Sequence, residues 1–123
     1  MKQYSFEKLQ VWQDCRALVK RIYILTSKFP EDEKFGLISQ LRRAGVSIIS
    51  NIAEGSSRTS PKDKANFYTI AYSSLMEVVS QLIISNDLDY IQQDDYMALR
   101  DEIYPISFKI NALHNATKDN NQG

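Results

Sequence analysis

The chain has 123 residues, 43% of them hydrophobic, and a formal net charge of zero, which suits one globular domain and is too short for two ordinary ones. Four Gly and three Pro leave little turn material for an all-β fold. The single cysteine, Cys15, excludes an internal disulfide, and we expect a reducing, cytoplasmic location.

The first predicted helix runs from about Phe6 to Lys28, with Ser5 as its N-cap. Its apolar residues alternate in steps of four and three, the spacing of a helical-bundle seam. They are Val11, Cys15, Leu18, Ile22, Leu25 and Phe29. Cys15 is therefore predicted to be a small buried hydrophobe and not a nucleophile. Pro30 ends the helix, and the acids at 31–33 are predicted to form the negatively charged first turn of the next one.

The second predicted helix extends to about Glu54, where Gly55 is a suitable C-terminal stop. One face is apolar: Leu37, Leu41, Ala44, Ile48 and Ile52. A second line is polar: Gln40, Arg43, Ser47, Asn51 and Glu54. A solvated face is one interpretation of this line. The many Ser, Ala and Gly residues around it favour another, a second packing surface within the chain or between subunits.

Ser60, Pro61 and Asp63 give a strong start signal for a third helix that reaches Asn86. Its predicted core line is Tyr68, Ala71, Leu75, Val78 or Val79, and Leu82. The short connection before it implies that the second and third helices run antiparallel. That register places Glu77 level with Gln40 and Arg43, so we predict a partly buried Arg43–Glu77 pair, within or between chains.

A fourth helix follows a connection near residues 87–93, and Pro105 is predicted to kink it. Its seam is the most regular in the sequence: Tyr96, Leu99, Ile103, Ile106, Ile110 and Leu113. The predicted fold is all-α, an antiparallel up-down-up-down four-helix bundle. Residues 1–118 form its single domain, and residues 119–123 are expected to be a disordered tail.

The residues offer no recognisable catalytic set. There is one histidine, His114, and the sequence contains no Ser, His and Asp constellation, glycine-rich phosphate loop or Glu-x-x-His pair. Acid and base roles for Glu54 and Glu77 are less favoured than structural pairing. No signal peptide is visible, and Ser, Arg or Asp interrupt the apolar tracts. We expect a soluble non-enzyme without cofactor, metal, small-molecule substrate or membrane partner.

The charge is unevenly distributed along the chain. Residues 1–64 hold twelve Lys and Arg against seven Asp and Glu, a balance of +5, whereas residues 65–123 have a balance of −5. Two basic clusters are candidate nucleic-acid-binding residues: Arg16, Lys20, Arg21, Arg42 and Arg43, and separately Arg58, Lys62 and Lys64. The alternatives are a basic surface for an anionic partner and charge complementarity between the helices.

Three stretches carry a family resemblance: QLRRAGVSIISNIAEGSSR, FEKLQVWQ and FPEDEKFGL. They resemble the four-helix-bundle family encoded in intervening sequences of bacterial 23S ribosomal RNA genes. The chain is distantly similar to the accessory variability determinant of diversity-generating retroelements, whose members form five-subunit barrels that bind nucleic acid and a reverse transcriptase. Gly45 stands where the family usually has Ala, and Ile49 where it often has Pro.

The resemblance implies a non-enzymatic homo-oligomer, a ring of five, that binds RNA, DNA or a nucleic-acid-handling protein. The alternative is a protein-protein interaction scaffold without nucleic-acid affinity. The near-neutral charge and the pI of 6.6 favour this alternative. Two apolar faces on the second helix favour self-association, because Val46, Ile49 and Ala53 have no obvious use in a lone bundle.

Overall fold

The computed structural model describes the backbone of residues 1–122 and the side chains of residues 1–118. Two 3-10 turns, Ser5–Lys8 and Glu31–Glu33, precede the first and second of four α-helices. The helices are α1 (Gln10–Thr26), α2 (Leu37–Ser57), α3 (Pro61–Asp87) and α4 (Gln93–Gln122). No strand occurs in residues 1–122, so the predicted all-α class and four-helix bundle are confirmed.

Contacts between neighbouring helices show their relative directions. Residue numbers rise along one helix as they fall along the other: in α2 and α3 the bonded pairs are Gln40–Gln81, Ser47–Ser74 and Gly55–Lys64. In α1 and α4 they are Asp14–Lys109 and Arg21–Glu102. The helices of both pairs therefore run antiparallel.

Most of the core consists of residues that the three-and-four spacing predicts. Side chains from all four helices are buried, among them Leu18, Ile22, Leu41, Ile48, Ile52, Leu75, Val78, Leu82, Ile106 and Ile110. Leu25, Leu37, Tyr96 and Leu113 are only partly buried and pack around them. Burying one Leu or Ile side chain contributes about 1.5–3 kcal/mol, so this continuous seam is the main source of stability.

The connection between α1 and α2 differs from the prediction. The acids at 31–33 form their own 3-10 turn, and α2 begins only at Leu37. The Glu33 carboxylate still acts on that helix, because it accepts a hydrogen bond of 3.3 Å from the Leu37 amide. A side chain one turn upstream thus satisfies one of the unpaired donors at the start of α2.

Gly55 is not the C-terminal stop that the sequence suggested. It lies inside α2, which continues to Ser57, and it is buried. A Cβ at this position would be 2.6 Å from the ring carbon Cε1 of Tyr68. The glycine is therefore required by the close approach of α3 and not by a turn.

The start of α3 is as predicted, since Ser60 Oγ accepts a hydrogen bond of 3.3 Å from the Asp63 amide and Pro61 occupies the first turn. α4 continues without a break past Pro105. The proline has no N–H, so the Asp101 carbonyl lacks its helical donor. Both residues are exposed. The expected disordered tail at 119–123 stays a prediction: the α4 backbone extends to Gln122, and Gly123 lies outside the described residues.

The sequence argument about membranes fails for α3. Within residues 1–122, it is the one helix long and apolar enough, by length and composition alone, to cross a membrane. A core helix in a soluble bundle meets the same criterion. Leu75, Val78 and Leu82 of α3 belong to the common core, whereas Met76 and Ile83 are exposed, so burial in the core accounts for only part of its apolar composition.

Candidate nucleic-acid interface

The outer face of α1 carries two exposed cations, Arg16 and Lys20. They lie one helical turn apart and opposite the buried seam that contains Leu18 and Ile22. The Arg16 guanidinium carbon is 5.8 Å from the centre of the Trp12 ring, close enough for a cation–π interaction that fixes the guanidinium over the indole. Both cations are therefore placed where an anionic partner can reach them.

Arg21 belongs to the opposite side of α1, facing α4. Its Nε lies 3.1 Å from Glu102 Oε2, and the Asp14–Lys109 pair is nearby on the same two helices. Burial raises the pKa of Glu102, and Asp14 adds to the shift while Arg21 opposes it. Burial would also raise the pKa of Asp14, but hydrogen bonds from Lys109 and Gln10 hold it below its ordinary value. Arg21 thus serves a charged contact within the bundle.

Arg42 ends α1. Its Nε donates a hydrogen bond of 2.9 Å to Thr26 Oγ1, and its Nη2 donates one of 3.3 Å to the Tyr23 carbonyl. The guanidinium carbon also lies 4.6 Å from the centre of the Tyr23 ring. The last turn of α1 has no basic residue of its own, so Arg42 supplies the positive charge that favours a helix C-terminus.

The Arg43–Glu77 pair expected within one chain is absent. Both side chains are exposed, and no ion pair joins them among the side chains of residues 1–118. Register fixes the height of a residue along its helix but not the side from which its side chain leaves the helix. One turn away along the same interface, Ser47 Oγ lies 2.8 Å from Ser74 Oγ. Arg43 and Glu77 stand outside that contact and point into solvent. A contact between chains involving them stays a prediction.

Much of the polar line on α2 forms a second packing surface within the chain. Asn51 Nδ2 donates to the Ser47 carbonyl at 2.8 Å and to Ser47 Oγ at 3.1 Å, beside Ser74 of α3. Gln40 Oε1 accepts a longer bond of 3.4 Å from Gln81. The line thus continues the α2/α3 contact outward from the apolar core, and Gln40 and Asn51 both make contacts within the chain.

The second basic cluster is largely occupied by local contacts. Lys64 Nζ donates to the Gly55 and Ser56 carbonyls at 3.2 and 3.1 Å, which satisfies the C-terminal end of α2. Arg58 bridges Glu54 at 3.1 Å and lies 4.9 Å from the Phe67 ring. In this cluster Lys62 is the exposed cation without a hydrogen bond or ion pair among the described side chains.

Sequence reasoning missed an aromatic cluster at the N-terminus. The Tyr4 and Phe6 rings are nearly parallel with centres 6.2 Å apart, and Phe6 meets Trp12 edge-on at 5.0 Å. Tyr4 is 74% exposed, although a tyrosine usually buries much of its ring. Phe6 and Trp12 lie in the stretch FEKLQVWQ, which carries the family resemblance, and Tyr4 lies just before it. Three aromatic residues within nine positions are the signal that could have indicated the cluster.

Large apolar side chains are exposed along α3 and α4. We define the α3/α4 apolar surface by Met76, Tyr104 and Phe108, since Met76 and Tyr104 line one depression and Tyr104 contacts Phe108. Ile83 and Met97 are also exposed on these two helices. Tyr104 and Phe108 meet edge-on with ring centres 4.9 Å apart, and they are 67% and 57% exposed. On α2 only Val46 remains exposed of the three apolar residues singled out, because Ile49 packs against the core and Ala53 lies in a shallow depression beside Tyr4 and Phe6.

The groups that could do chemistry are few. Burial, with a smaller contribution from the Asp14 charge, raises the pKa of the Cys15 thiol to about 12, so the thiolate is scarce at neutral pH. His114 lies in a shallow groove between α3 and α4 with Tyr68 and Tyr72. Within the described residues no group of three or more His, Cys, Asp and Glu side chains is placed to hold a metal ion.

Fold and surface together define a small helical bundle whose distinguishing features are surface charge and exposed apolar residues. The chain belongs to the 23S rRNA-intervening sequence protein family, whose sequence model matches residues 7–112. Its fold is similar to that of a protein of unknown function from the S23 ribosomal protein family of Bacteroides thetaiotaomicron, with a TM-score of 0.78 and 24% identity. That match covers 85% of this chain and 97% of the other. No curated protein matches the sequence.

Proposed function

We propose that this protein is a non-enzymatic, self-associating helical bundle that binds nucleic acid, RNA or DNA, alone or as part of a nucleic-acid-handling complex. One observation carries the nucleic-acid part. Two segments contain no Asp or Glu, although the whole chain has fifteen of them. We call these the acid-free segments: residues 15–30, which cover most of α1 and the residues after it, and residues 34–53, which cover most of α2. Local positive charge therefore exists in spite of a neutral total.

The acid-free segments face each other. Gly45 of α2 lies against Ile22 and Val19 of α1, and Arg42 bonds to the end of α1, so the two segments share one side of the bundle. Their exposed cations include Arg16, Lys20 and Arg43. Phosphate groups are attracted to such a surface without any requirement for base sequence, and the attraction weakens steeply with added salt.

The self-association rests on the α3/α4 apolar surface. Exposed apolar patches of this kind mark interaction sites in soluble proteins. A second copy of the chain is the partner proposed for it, with five subunits in the ring as the family resemblance implies. A ring requires that one face of a subunit meet a different face of the next.

A specific observation also favours the alternative, a protein-interaction scaffold without nucleic-acid affinity. Four of the eight basic candidates are held by contacts inside the chain: Arg21, Arg42, Arg58 and Lys64. Fewer cations are then available to phosphates than the sequence suggests. The two functions differ in whether the purified protein binds labelled RNA or DNA at low salt.

The test is fluorescence anisotropy with labelled RNA and DNA at about 50 mM salt, followed by a salt titration. We expect binding that weakens with salt, and Lys20→Glu should reduce the affinity for every sequence alike. Lys118→Glu is the matched control, since this exposed lysine lies on α4 and outside the acid-free segments. No binding by the wild-type protein at low salt would favour the scaffold.

A further inference from the structure

The side of the bundle that carries Arg16 and Lys20 also carries aromatic rings, and two of these rings are each paired with an Arg side chain. We call this the α1/α2 strip and define it by its residues: Tyr4, Trp12, Arg16, Lys20, Tyr23 and Arg42. Phe6 joins Tyr4 to Trp12 by ring contacts, Arg16 lies over Trp12, and Arg42 lies over Tyr23. Trp12 and Tyr23 are eleven positions apart on α1, so that part of the strip is about 16 Å long.

We propose that the α1/α2 strip binds single-stranded nucleic acid, with bases stacked on its rings and guanidinium planes and phosphates held by its cations. This deepens the proposed function and rests on it, because it names which form of nucleic acid the basic side of the bundle takes. Duplexes hide the faces of their bases inside the stack, whereas a single strand presents them to aromatic and Arg planes.

Tyr4 is the stacking platform at one end. One face of its ring is turned to Phe6 in a nearly parallel arrangement, and the residue remains 74% exposed. Its backbone is held in place, since the Tyr4 amide donates a hydrogen bond of 2.6 Å to the Glu7 carboxylate. An aromatic ring with one face packed and the other exposed loses little conformational entropy when it binds a base.

Two guanidinium planes continue the platform. Arg16 lies 5.8 Å from the Trp12 ring centre and Arg42 lies 4.6 Å from that of Tyr23, so in each pair the cation covers the ring. Arg42 is additionally fixed by its bonds to Thr26 and the Tyr23 carbonyl. The outer face of such an ordered guanidinium is a stacking surface for a base, and the charge of Arg16 attracts the adjoining phosphate. Lys20, between the two pairs, supplies a further phosphate contact.

Charge complementarity supports this occupant over an apolar protein segment. The part of the strip from Arg16 to Arg42 lies within the acid-free segments. The acids near its other end already have partners: Glu7 is bonded to the Tyr4 amide, and Glu54, in the depression beside Tyr4 and Phe6, bridges Arg58. A single-stranded nucleic acid matches both features of the strip, because its phosphates pair with the cations and its bases stack on the rings.

The experiment compares an oligothymidine of about 15 nucleotides with its duplex at the same low salt concentration. We expect the single strand to bind about tenfold more tightly, because each stacked base adds affinity that a duplex cannot use. Trp12 is the chain's only tryptophan, so quenching of its emission by the single strand locates the ligand on the strip. Single-strand binding that leaves Trp12 emission unchanged would overturn the assignment.

Tyr4→Leu keeps every charge and removes one ring that is too exposed to support the core. We expect it to lower single-strand affinity by about fivefold while duplex affinity stays the same. Phe35→Leu is the control, since this ring is 88% exposed and lies outside the strip. Equal affinity for single strand and duplex, or no effect of Tyr4→Leu, would overturn the inference while leaving nucleic-acid binding intact. Failure of both ligands to bind would overturn the proposed function as well.

Discussion

Arg42 of α2 reaches across to α1 and donates a hydrogen bond of 2.9 Å to the hydroxyl of Thr26, a residue with no exposed surface. That hydroxyl in turn donates a bond of 2.7 Å to the Ile22 carbonyl. One charged side chain therefore closes a chain of hydrogen bonds at the end of α1 and links two helices whose core contacts are otherwise apolar.

The first prediction concerns that link. Arg42→Met keeps the length of the side chain but removes its donors and its charge, so the free energy of unfolding should fall by about 1–2 kcal/mol. Arg43→Met is a matched control at the next position, and because Arg43 is exposed its effect should lie within about 0.5 kcal/mol. Urea denaturation of both variants measures the difference. Equal stability of the two would show that the Arg42 bonds contribute nothing.

The second prediction concerns two glycines of α2 that face neighbouring helices. Gly55→Ala should destabilise the protein by about 1–3 kcal/mol, because the new Cβ would be 2.6 Å from Tyr68 Cε1 and would push against a packed ring. At Gly45 the nearest atom is Ile22 Cδ1 at 3.2 Å, the end of a flexible side chain. There the helix-propensity gain of about 1 kcal/mol offsets the crowding. Thermal melts should rank Gly45→Ala above Gly55→Ala, and the reverse order would contradict the geometry.

The third prediction concerns the buried thiol. The pKa of Cys15 rises from 9.0 to about 12 in the folded protein, so the native state keeps a proton that the unfolded chain releases. Stability contributed by this group is therefore lost as pH increases through that interval. A Cys15→Ala variant lacks the group, and its denaturation midpoint should change less with alkaline pH.

An aromatic disulfide reagent should react slowly with the Cys15 thiol of the native protein and rapidly in denaturant. Fast reaction with the native protein would show that the thiol is accessible.

The fourth prediction concerns self-association. Phe108→Glu places a charge on the α3/α4 apolar surface and should shift the oligomer toward monomer, because the carboxylate would lose its water in the contact. Phe35→Glu introduces the same charge at a ring that is even more exposed and lies outside that surface, and it should leave the mass unchanged. Light scattering coupled to size exclusion measures both. A wild-type protein that is monomeric at high micromolar concentration would refute the proposed assembly.

Residue spacing alone was enough to predict the core and the place of Cys15 in it, because a period of three and four residues decides which side of a helix is covered. It was also enough for the start of α3, where Ser60 and Pro61 act locally. The destinations of Arg42 and Lys64 could not be predicted this way. A register argument is accurate to about one helical turn, whereas a long side chain can reach either along its own helix or across to the next, and that choice depends on neighbouring atoms.

The same limit explains the errors at Gly55 and at the Arg43–Glu77 pair. From sequence alone, a glycine after Glu54 is equally suited to ending the helix and to letting an aromatic ring approach the helix backbone. Only the position of Tyr68 in the structure distinguishes these two roles. Arg43 and Glu77 are level, as antiparallel register requires, but both are exposed, because register gives a height along the helix and not the direction of a side chain. The exposed Tyr4 was not predicted because no periodicity extends to a ring before the first helix.

The short connection between α2 and α3 bears on the order in which the chain folds. Lys64 bonds to Gly55 only nine positions away, whereas Lys109 and Asp14, which join α4 to α1, are 95 positions apart. Closing a small loop costs less conformational entropy than closing a large one. We therefore expect the α2–α3 hairpin to form early, with the two ends of the polypeptide meeting last, so that substitutions near Gly55 slow folding while those at the α1/α4 contact mainly speed unfolding.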